Sequence, residues 1–289
     1  MTASIIDGKK ISQHIRETIE ERVTALKQSG ITPGLAVVLV GNNQASKTYV
    51  SMKEKACKKH GIHSALIRLD EDITERGLLD KVAELNEDPA IHGILVQLPL
   101  PSHINETNVI ESIDPSKDVD GFHPINAGRL MTGGDGFVPC TPYGIIEMLK
   151  FENIALSGAH AVIVGRSNIV GKPMGQLLLK ENATVTYCHS KTKNLAFHTK
   201  QADILIAAVG IKELITNDHI KEGAVVIDVG MNRDDEGKLC GDVDFQGCRS
   251  KAHAITPVPG GVGPMTITML LANTVQSAEK HVVDLNLSN

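Results

Sequence analysis

Tyr49 and Lys53 stand four residues apart in TYVSMKEK, in a chain with three tyrosines and no tryptophan. On a helix at about 100° per residue, Ala45, Ser46, Tyr49, Val50, Met52, Lys53, Ala56, Cys57 and His60 fall within an arc of about 160°. Lys47, Thr48, Ser51, Glu54, Lys55, Lys58 and Lys59 occupy the other side, an ordinary solvated face. Lys53 is thus the lysine of this segment on the largely apolar side. Loss of hydration there favours the neutral amine and moves the group toward the range useful for proton transfer. Tyr49, one turn earlier, can support a flat ligand and share a hydrogen bond. Two readings stand: an acid–base lysine beside an aromatic platform, or a lysine whose stem is buried and whose charge reaches water, beside a half-buried core tyrosine.

A second candidate is AVIVGRSNIVGKPMGQLLLK, which runs from an apolar strand through a glycine loop into a helix, with Pro173 suited to the first turn. Backbone N–H groups at such a helix start can hold phosphate. Five residues separate Gly165 from the Gly171–Lys172 pair, and Pro173 replaces the hydroxyl that a nucleoside-triphosphate loop requires. The loop also departs from GxGxxG, because Ser167 and Val170 occupy the second and third glycine positions and Gly171 comes one later. After the next apolar run, CHSKTK replaces the acidic residue that usually binds the ribose of NAD. Ser190, Lys191 and Lys193, with Arg166, make a positive setting that favours the 2′-phosphate of NADP. The plainer reading is a solvated basic turn beside a structural glycine bend.

The elements that must position these residues repeat twice. LAVVLV, SALIRL and GILVQL alternate with amphipathic segments, and AVIVG, TVTYC, DILIAAVG and AVVIDVG do the same after residue 160, the pattern of parallel strands joined by crossover helices. Between them, DVDGFHPINAGRLMTGGDGFVPCTP is too long for an ordinary connection and is expected to be an interdomain or functional loop. The tail from Thr266 has helical spacing and is expected to return to the first domain.

At 289 residues the chain has room for two domains, and its 42% hydrophobic and 22% charged content is that of a globular protein. A net charge of -5 with interspersed signs offers no basic face for nucleic acid and no polybasic run for a membrane. Small molecules are the expected partners. The five cysteines form no CxxC pair and the twelve histidines no HExxH, so free thiols and no metal site are expected. No window approaches the roughly 18 apolar residues of a membrane span and the N-terminus lacks a signal-peptide core, which gives a cytoplasmic expectation.

Taken together and in order, TYVSMKEKA, GILVQLPLP, KDVDGFHPINAGRL, VIVGRSNIVGKP and TPVPGGVGPMT closely resemble bifunctional methylenetetrahydrofolate dehydrogenase/methenyltetrahydrofolate cyclohydrolase, from the first helix to the last. The resemblance implies an α/β fold of two domains flanking a cleft, the C-terminal one a Rossmann-type dinucleotide-binding domain. It implies a folate-binding catalytic domain from residues 1–120 plus 266–289, an NADP-binding domain from 121–265, and a homodimer. The implied work is NADP-dependent oxidation of 5,10-methylenetetrahydrofolate to the 5,10-methenyl form and hydrolysis of that cation to 10-formyltetrahydrofolate, within one-carbon metabolism and purine biosynthesis.

Carried over by residue, the resemblance makes Lys53 the catalytic lysine, Gln97 its hydrogen-bond partner, Asp120 the pterin ligand and Tyr49 the surface against which the folate packs. Val96, Leu98 and Pro259, Gly260, Gly261, Val262 and Gly263 become further substrate contacts, and Gly165, Arg166, Ser167, Ser190 and Met231 contact the cofactor. Two other functions stay open on sequence: a different two-domain NADP-dependent dehydrogenase of a small acid or amino acid, and a non-enzymatic nucleotide-sensing module. The first leaves Tyr49, Lys53 and PGGVGP unexplained, and the second predicts losses at Lys53, Gln97 or Asp120 that are not seen.

Overall fold

The computed structural model describes residues 2–287 and resolves into two compact units. One is built from His14–Val138 and the chain from Ile267 onward, the other from the chain up to Gln13 and Pro139–Thr266. Two of the three boundaries fall inside helices, Gly8–Gln28 and Val262–Leu287, and the third, between Val138 and Pro139, falls in the stretch before the helix Cys140–Phe151.

The unit containing Lys53 has a three-stranded parallel sheet in the order His63–Leu69, Gly34–Val40, Gly93–Val96. Every residue of GLAVVLV in the central strand is buried, which is why its apolar run does not alternate. The next strand in sequence pairs on one side of it and the third on the other, so the order reverses beside the carboxyl end of Gly34–Val40. The crossover helices Gln44–Lys59 and Glu75–Glu87 start on side-chain caps: Asn43 Oδ1 accepts from Ser46 N at 3.0 Å and Thr74 Oγ1 from Gly77 N at 3.1 Å.

The other unit carries six parallel strands in the order Ser4–Ile5, Ala254–Ile255, Val225–Asp228, Ile204–Ala207, His160–Val164, Thr184–Cys188. His160–Val164 is followed by a strand on one side and then by a strand on the other. Its carboxyl end, where Gly165 stands, is therefore the switch point at which doubly wound sheets bind ligands.

The stretch expected to be one long loop is about half helical, with Pro124–Thr132 within it and the start of Cys140–Phe151 overlapping its end. Its proline and glycine are helix punctuation: Pro124 sits in the first turn, His123 Nδ1 accepts from Ile125 N at 3.1 Å, and Gly133 closes the helix at φ 76°. The five cysteines are free, four of them buried. Among the described residues no helix is long and apolar enough to cross a membrane, and no cluster of His, Cys, Asp and Glu has the arrangement of a metal site.

Candidate active site

Ser46, Val50, Ala56, Cys57 and His60 are buried and fix the inner face of Gln44–Lys59 against the sheet. Met52, expected on that face, is 48% exposed. It lies at the rim of the projected arc, about 80° from the centre, where the apolar face gives way to solvent. Lys53 lies near the centre of the arc and is half-buried, as is Tyr49 one turn earlier.

Lys53 Nζ donates to Gln97 Oε1 at 3.1 Å. Gln97 follows the strand Gly93–Val96 and stays in register with the sheet, its N–H donating to Val38 O at 2.8 Å. Its side-chain Nε2 donates to Leu98 O at 2.8 Å, which orients the amide so that Oε1 faces the lysine. The amine is thereby held at the carboxyl end of the sheet, beside the reversal of strand order, by a partner without charge. Among the described residues Lys53 makes no ion pair with a carboxylate. Val96 has its side chain in the apolar core, whereas Leu98 is half-buried beyond the strand end.

Asp120 is half-buried and precedes Gly121, whose φ of 76° turns the chain. The turn is organised by Asp118, which the sequence reading passed over. Asp118 is 2% exposed and accepts from Phe122 N at 3.2 Å, His123 N at 2.9 Å and Asn126 Nδ2 at 2.9 Å. Burial pushes its carboxyl pKa up, and these donors oppose the shift. Asn273, fully buried on the long C-terminal helix, donates to Val119 O at 2.8 Å between the two acids. The Asp–Gly pair draws attention to Asp120, whereas the donors to Asp118 are mostly backbone amides that no side-chain pattern announces.

The unit with the six-stranded sheet gathers the other candidates. Gly165, Arg166 and Ser167 follow His160–Val164, Ser190 follows Thr184–Cys188, and Met231 follows Val225–Asp228. All five thus stand beyond the carboxyl ends of parallel strands. Arg166, Ser167, Ser190, Lys191 and Lys193 are exposed, and Met231 is 53% exposed. Gly165 has φ 142°, and a Cβ there would stand 2.3 Å from Ala208 O. A Cβ on Gly171 would meet Gly165 O at 2.6 Å, so the helix Gly171–Lys180 begins directly on the loop backbone. Gly175 makes a third close approach, toward the Tyr187 ring on the neighbouring strand. The glycines at 165, 171 and 175 therefore supply the tight turn, close loop contact and helix–strand packing of a dinucleotide site, at a spacing that GxGxxG does not describe. Ser167 Oγ accepts from Val170 N and Gly171 N, both at 3.2 Å, and steadies the helix start.

Pro259, Gly260, Gly261, Val262 and Gly263 belong to this same unit, the first three in the turn after the strand Ala254–Ile255 and the last two opening the helix Val262–Leu287. Gly260 has φ 105°, and Gly261 approaches Gly8 so closely that a Cβ on Gly8 would meet Gly261 O at 1.8 Å. Sequence reasoning placed Lys53 with Gln97, and the structure joins them directly. It places Tyr49 and Asp120 in their unit and Pro259–Gly263 in the other.

Two family models cover the chain: tetrahydrofolate dehydrogenase/cyclohydrolase, catalytic domain, over residues 6–120, and the NAD(P)-binding domain of the same family over residues 139–282. The bifunctional protein FolD of Bacillus subtilis (strain 168) is 60% identical over 280 residues, covering 97% of this chain and 99% of that protein. The crystal structure of the bifunctional FolD methylenetetrahydrofolate dehydrogenase/cyclohydrolase of Campylobacter jejuni aligns with a TM-score of 0.95 at 53% identity, over 96% of this chain and 99% of that one. The FolD structure from Trypanosoma brucei, complexed with NADP cofactor and inhibitor, aligns with a TM-score of 0.93 at 38% identity, over 98% and 99% of the two chains. These matches agree with the resemblance carried by the five sequence segments and displace the small-acid dehydrogenase and nucleotide-sensing alternatives. The chain belongs to the tetrahydrofolate dehydrogenase/cyclohydrolase family.

Proposed function

We propose that this chain oxidises 5,10-methylenetetrahydrofolate to the 5,10-methenyl cation with NADP and hydrolyses that cation to 10-formyltetrahydrofolate, with Lys53 and Gln97 carrying the hydrolytic step. The observation that supports these roles is the hydrogen bond from Lys53 Nζ to Gln97 Oε1.

The two reactions make different demands. Removal of hydride from the methylene bridge leaves a resonance-stabilised amidinium cation, so oxidation needs alignment more than a base. Bound NADP supplies the hydride acceptor. The residues present fit it: Gly165 and Gly171 let the loop backbone turn tightly onto the start of the helix, where a Cβ would collide with backbone atoms, and Arg166, Lys191 and Lys193 provide positive charge for a 2′-phosphate. The Ser167 hydroxyl already accepts two backbone amides, and its own O–H can donate to an anionic oxygen.

Hydrolysis adds water to the cation, removes both of that water's protons in turn, delivers one to the ring nitrogen as the bridge opens and releases the other to solvent. Lys53 as an amine takes the first proton from the adding water and, as an ammonium, returns it to the departing nitrogen, while the second proton leaves to solvent as the carbinol becomes the formyl carbonyl. Gln97 orients the amine in either state because a neutral amide does not fix the positive charge, as a carboxylate would. Asp120 accepts from the pterin ring N–H and exocyclic amine, and Tyr49 packs on the folate rings. By the same family resemblance, Val96, Leu98 and Pro259 to Gly263 are further folate contacts, and Ser190 and Met231 further cofactor contacts. A cytoplasmic homodimer supplying purine biosynthesis completes the proposal.

The test is an absorbance assay of the purified protein with methylenetetrahydrofolate, run with NADP and with NAD, then with methenyltetrahydrofolate alone. We expect reduced cofactor to form with a higher kcat/KM for NADP and the methenyl absorbance to decay enzymatically. No reduced cofactor from either nucleotide would overturn the proposal.

A further inference from the structure

Two buried acids in the six-stranded unit take no part in the chemistry above. Asp242 is 0% exposed and its carboxylate is fully subscribed. Oδ2 accepts from Val209 N at 2.6 Å and Gly210 N at 3.0 Å, while Oδ1 accepts from Ile211 N at 3.0 Å and the Asn232 side-chain amide at 2.9 Å. Its own N–H donates to Asp228 Oδ1 at 2.9 Å, and Asp228 also accepts from Gly230 N and Val243 N at 2.9 and 3.0 Å. Glycine lines the cluster because nothing larger fits: a Cβ on Gly230 would meet Asp242 Oδ1 at 2.3 Å, and one on Gly241 would meet Asp228 Oδ2 at 1.8 Å.

The segments seated on Asp242 are the loop after Ile204–Ala207 and the turn after Val225–Asp228. Both leave the sheet at its carboxyl edge, on the side of Gly165 opposite Ser190 and Lys191. The first loop abuts the glycine loop, since Ala208 O is the atom a Cβ on Gly165 would strike. In a doubly wound sheet the strand carrying Ser190 serves the adenosine half of a dinucleotide, which leaves the opposite side for the nicotinamide half. There the two segments present Ile211 and Met231, 54% and 53% exposed, as apolar surface suited to a flat ring.

We propose that Asp242 is a positioning residue for the cofactor: by holding the Val209–Ile211 amides and Asn232 on one carboxylate, it fixes the loops that receive the nicotinamide half of NADP. The idea rests on NADP binding at this sheet edge. Methenyl hydrolysis needs no cofactor, so the second activity of the same protein serves as an internal control. An ionised carboxylate offers about four acceptor positions, and an amide in its place turns an NH2 toward two of the donors.

The experiment compares the full-length wild type with Asp242→Asn and Asn232→Ala. Three quantities are read: the NADP dissociation constant by calorimetric titration, hydrogen exchange at residues 209–211, and cofactor-free decay of preformed methenyltetrahydrofolate. For Asp242→Asn we expect NADP affinity to fall by about tenfold or more, as loss of a buried charged hydrogen bond implies. Exchange at residues 209–211 should accelerate, while methenyl hydrolysis stays within about twofold of wild type. Asn232→Ala should weaken NADP binding in the same direction by less. Unchanged NADP affinity in a folded Asp242→Asn protein, or methenyl hydrolysis lost in step with NADP binding, would overturn the inference. Should Asp242→Asn not fold, Asn232→Ala decides it, with weaker NADP binding supporting the role and unchanged binding opposing it. A wild type that binds no NADP would instead count against the cofactor assignment itself.

Discussion

A neutral partner distinguishes Lys53 from Lys58 of the same helix: Lys58 pairs with Glu54 at 3.0 Å, whereas Lys53 donates to an amide oxygen. If that neutrality lets the amine cycle between its two forms, Gln97→Glu should damage hydrolysis by stabilising the ammonium. The expected outcome is a fall of roughly ten- to hundredfold in methenyl decay with a smaller effect on NADP reduction, measured on one preparation. Equal loss of both activities would point to a disturbed fold at the strand end. Part of this was legible in the sequence. Helical projection alone set Lys53 apart, because a 3.6-residue period is local information. Gln97 lies 44 residues away and meets it through strand order, so only the family resemblance linked the two. Asp118 escaped because its partners are largely amides of its own downstream loop.

Strands were the elements most readily foreseen. GLAVVLV, ILIA and VVID sit in parallel sheets, and strands buried on both faces leave continuous apolar runs that need no long-range knowledge. Glycine and proline were harder to interpret, because the same residues open loops and punctuate helices. Between residues 118 and 142 they bracket Pro124–Thr132, which the sequence reading took for loop. The glycine loop shows the related limit. Gly171 looks like a displaced member of GxGxxG, yet it is the point where helix and loop backbone touch. A methyl group there would stand 2.6 Å from Gly165 O and 2.7 Å from Arg166 N, contacts that only a shift of backbone relieves. Gly171→Ala should therefore lower stability by about 1–3 kcal/mol, as overpacking does. It should also raise the KM for NADP, with urea titration and initial rates as the two measurements. An unchanged midpoint would show that the helix start yields more easily than these distances imply.

Over the whole molecule, two buried groups give opposite pH responses. His92 accepts from Gly34 N at 3.1 Å, and burial, aided by nearby His281 and Lys117, lowers its pKa to about 4. The unfolded chain then binds more protons than the folded one between about pH 6.5 and 4. The stability due to neutral His92 is present above that window and is lost as pH falls through it. Asp228 behaves in the reverse sense, since burial raises its pKa to about 6. Its contribution is present below the unfolded value near 4 and is lost as pH rises through about 6. Urea titrations between pH 4 and 7 should show His92→Asn removing a rise of stability with pH, and Asp228→Asn removing a fall. Slopes unaltered by either change would mean that these groups do not govern the acid response.

One chain carrying two reactions also allows its central claim to be tested without a separate control protein. The most direct measurement follows decay of preformed methenyltetrahydrofolate with Lys53→Met, alongside NADP reduction from methylenetetrahydrofolate and a folate-binding titration on the same preparation. The account predicts a loss of at least about a hundredfold in methenyl hydrolysis, the scale of positioned acid–base catalysis, with folate binding retained and NADP reduction affected far less. A folded Lys53→Met protein that binds folate and hydrolyses the methenyl form at the native rate would contradict it.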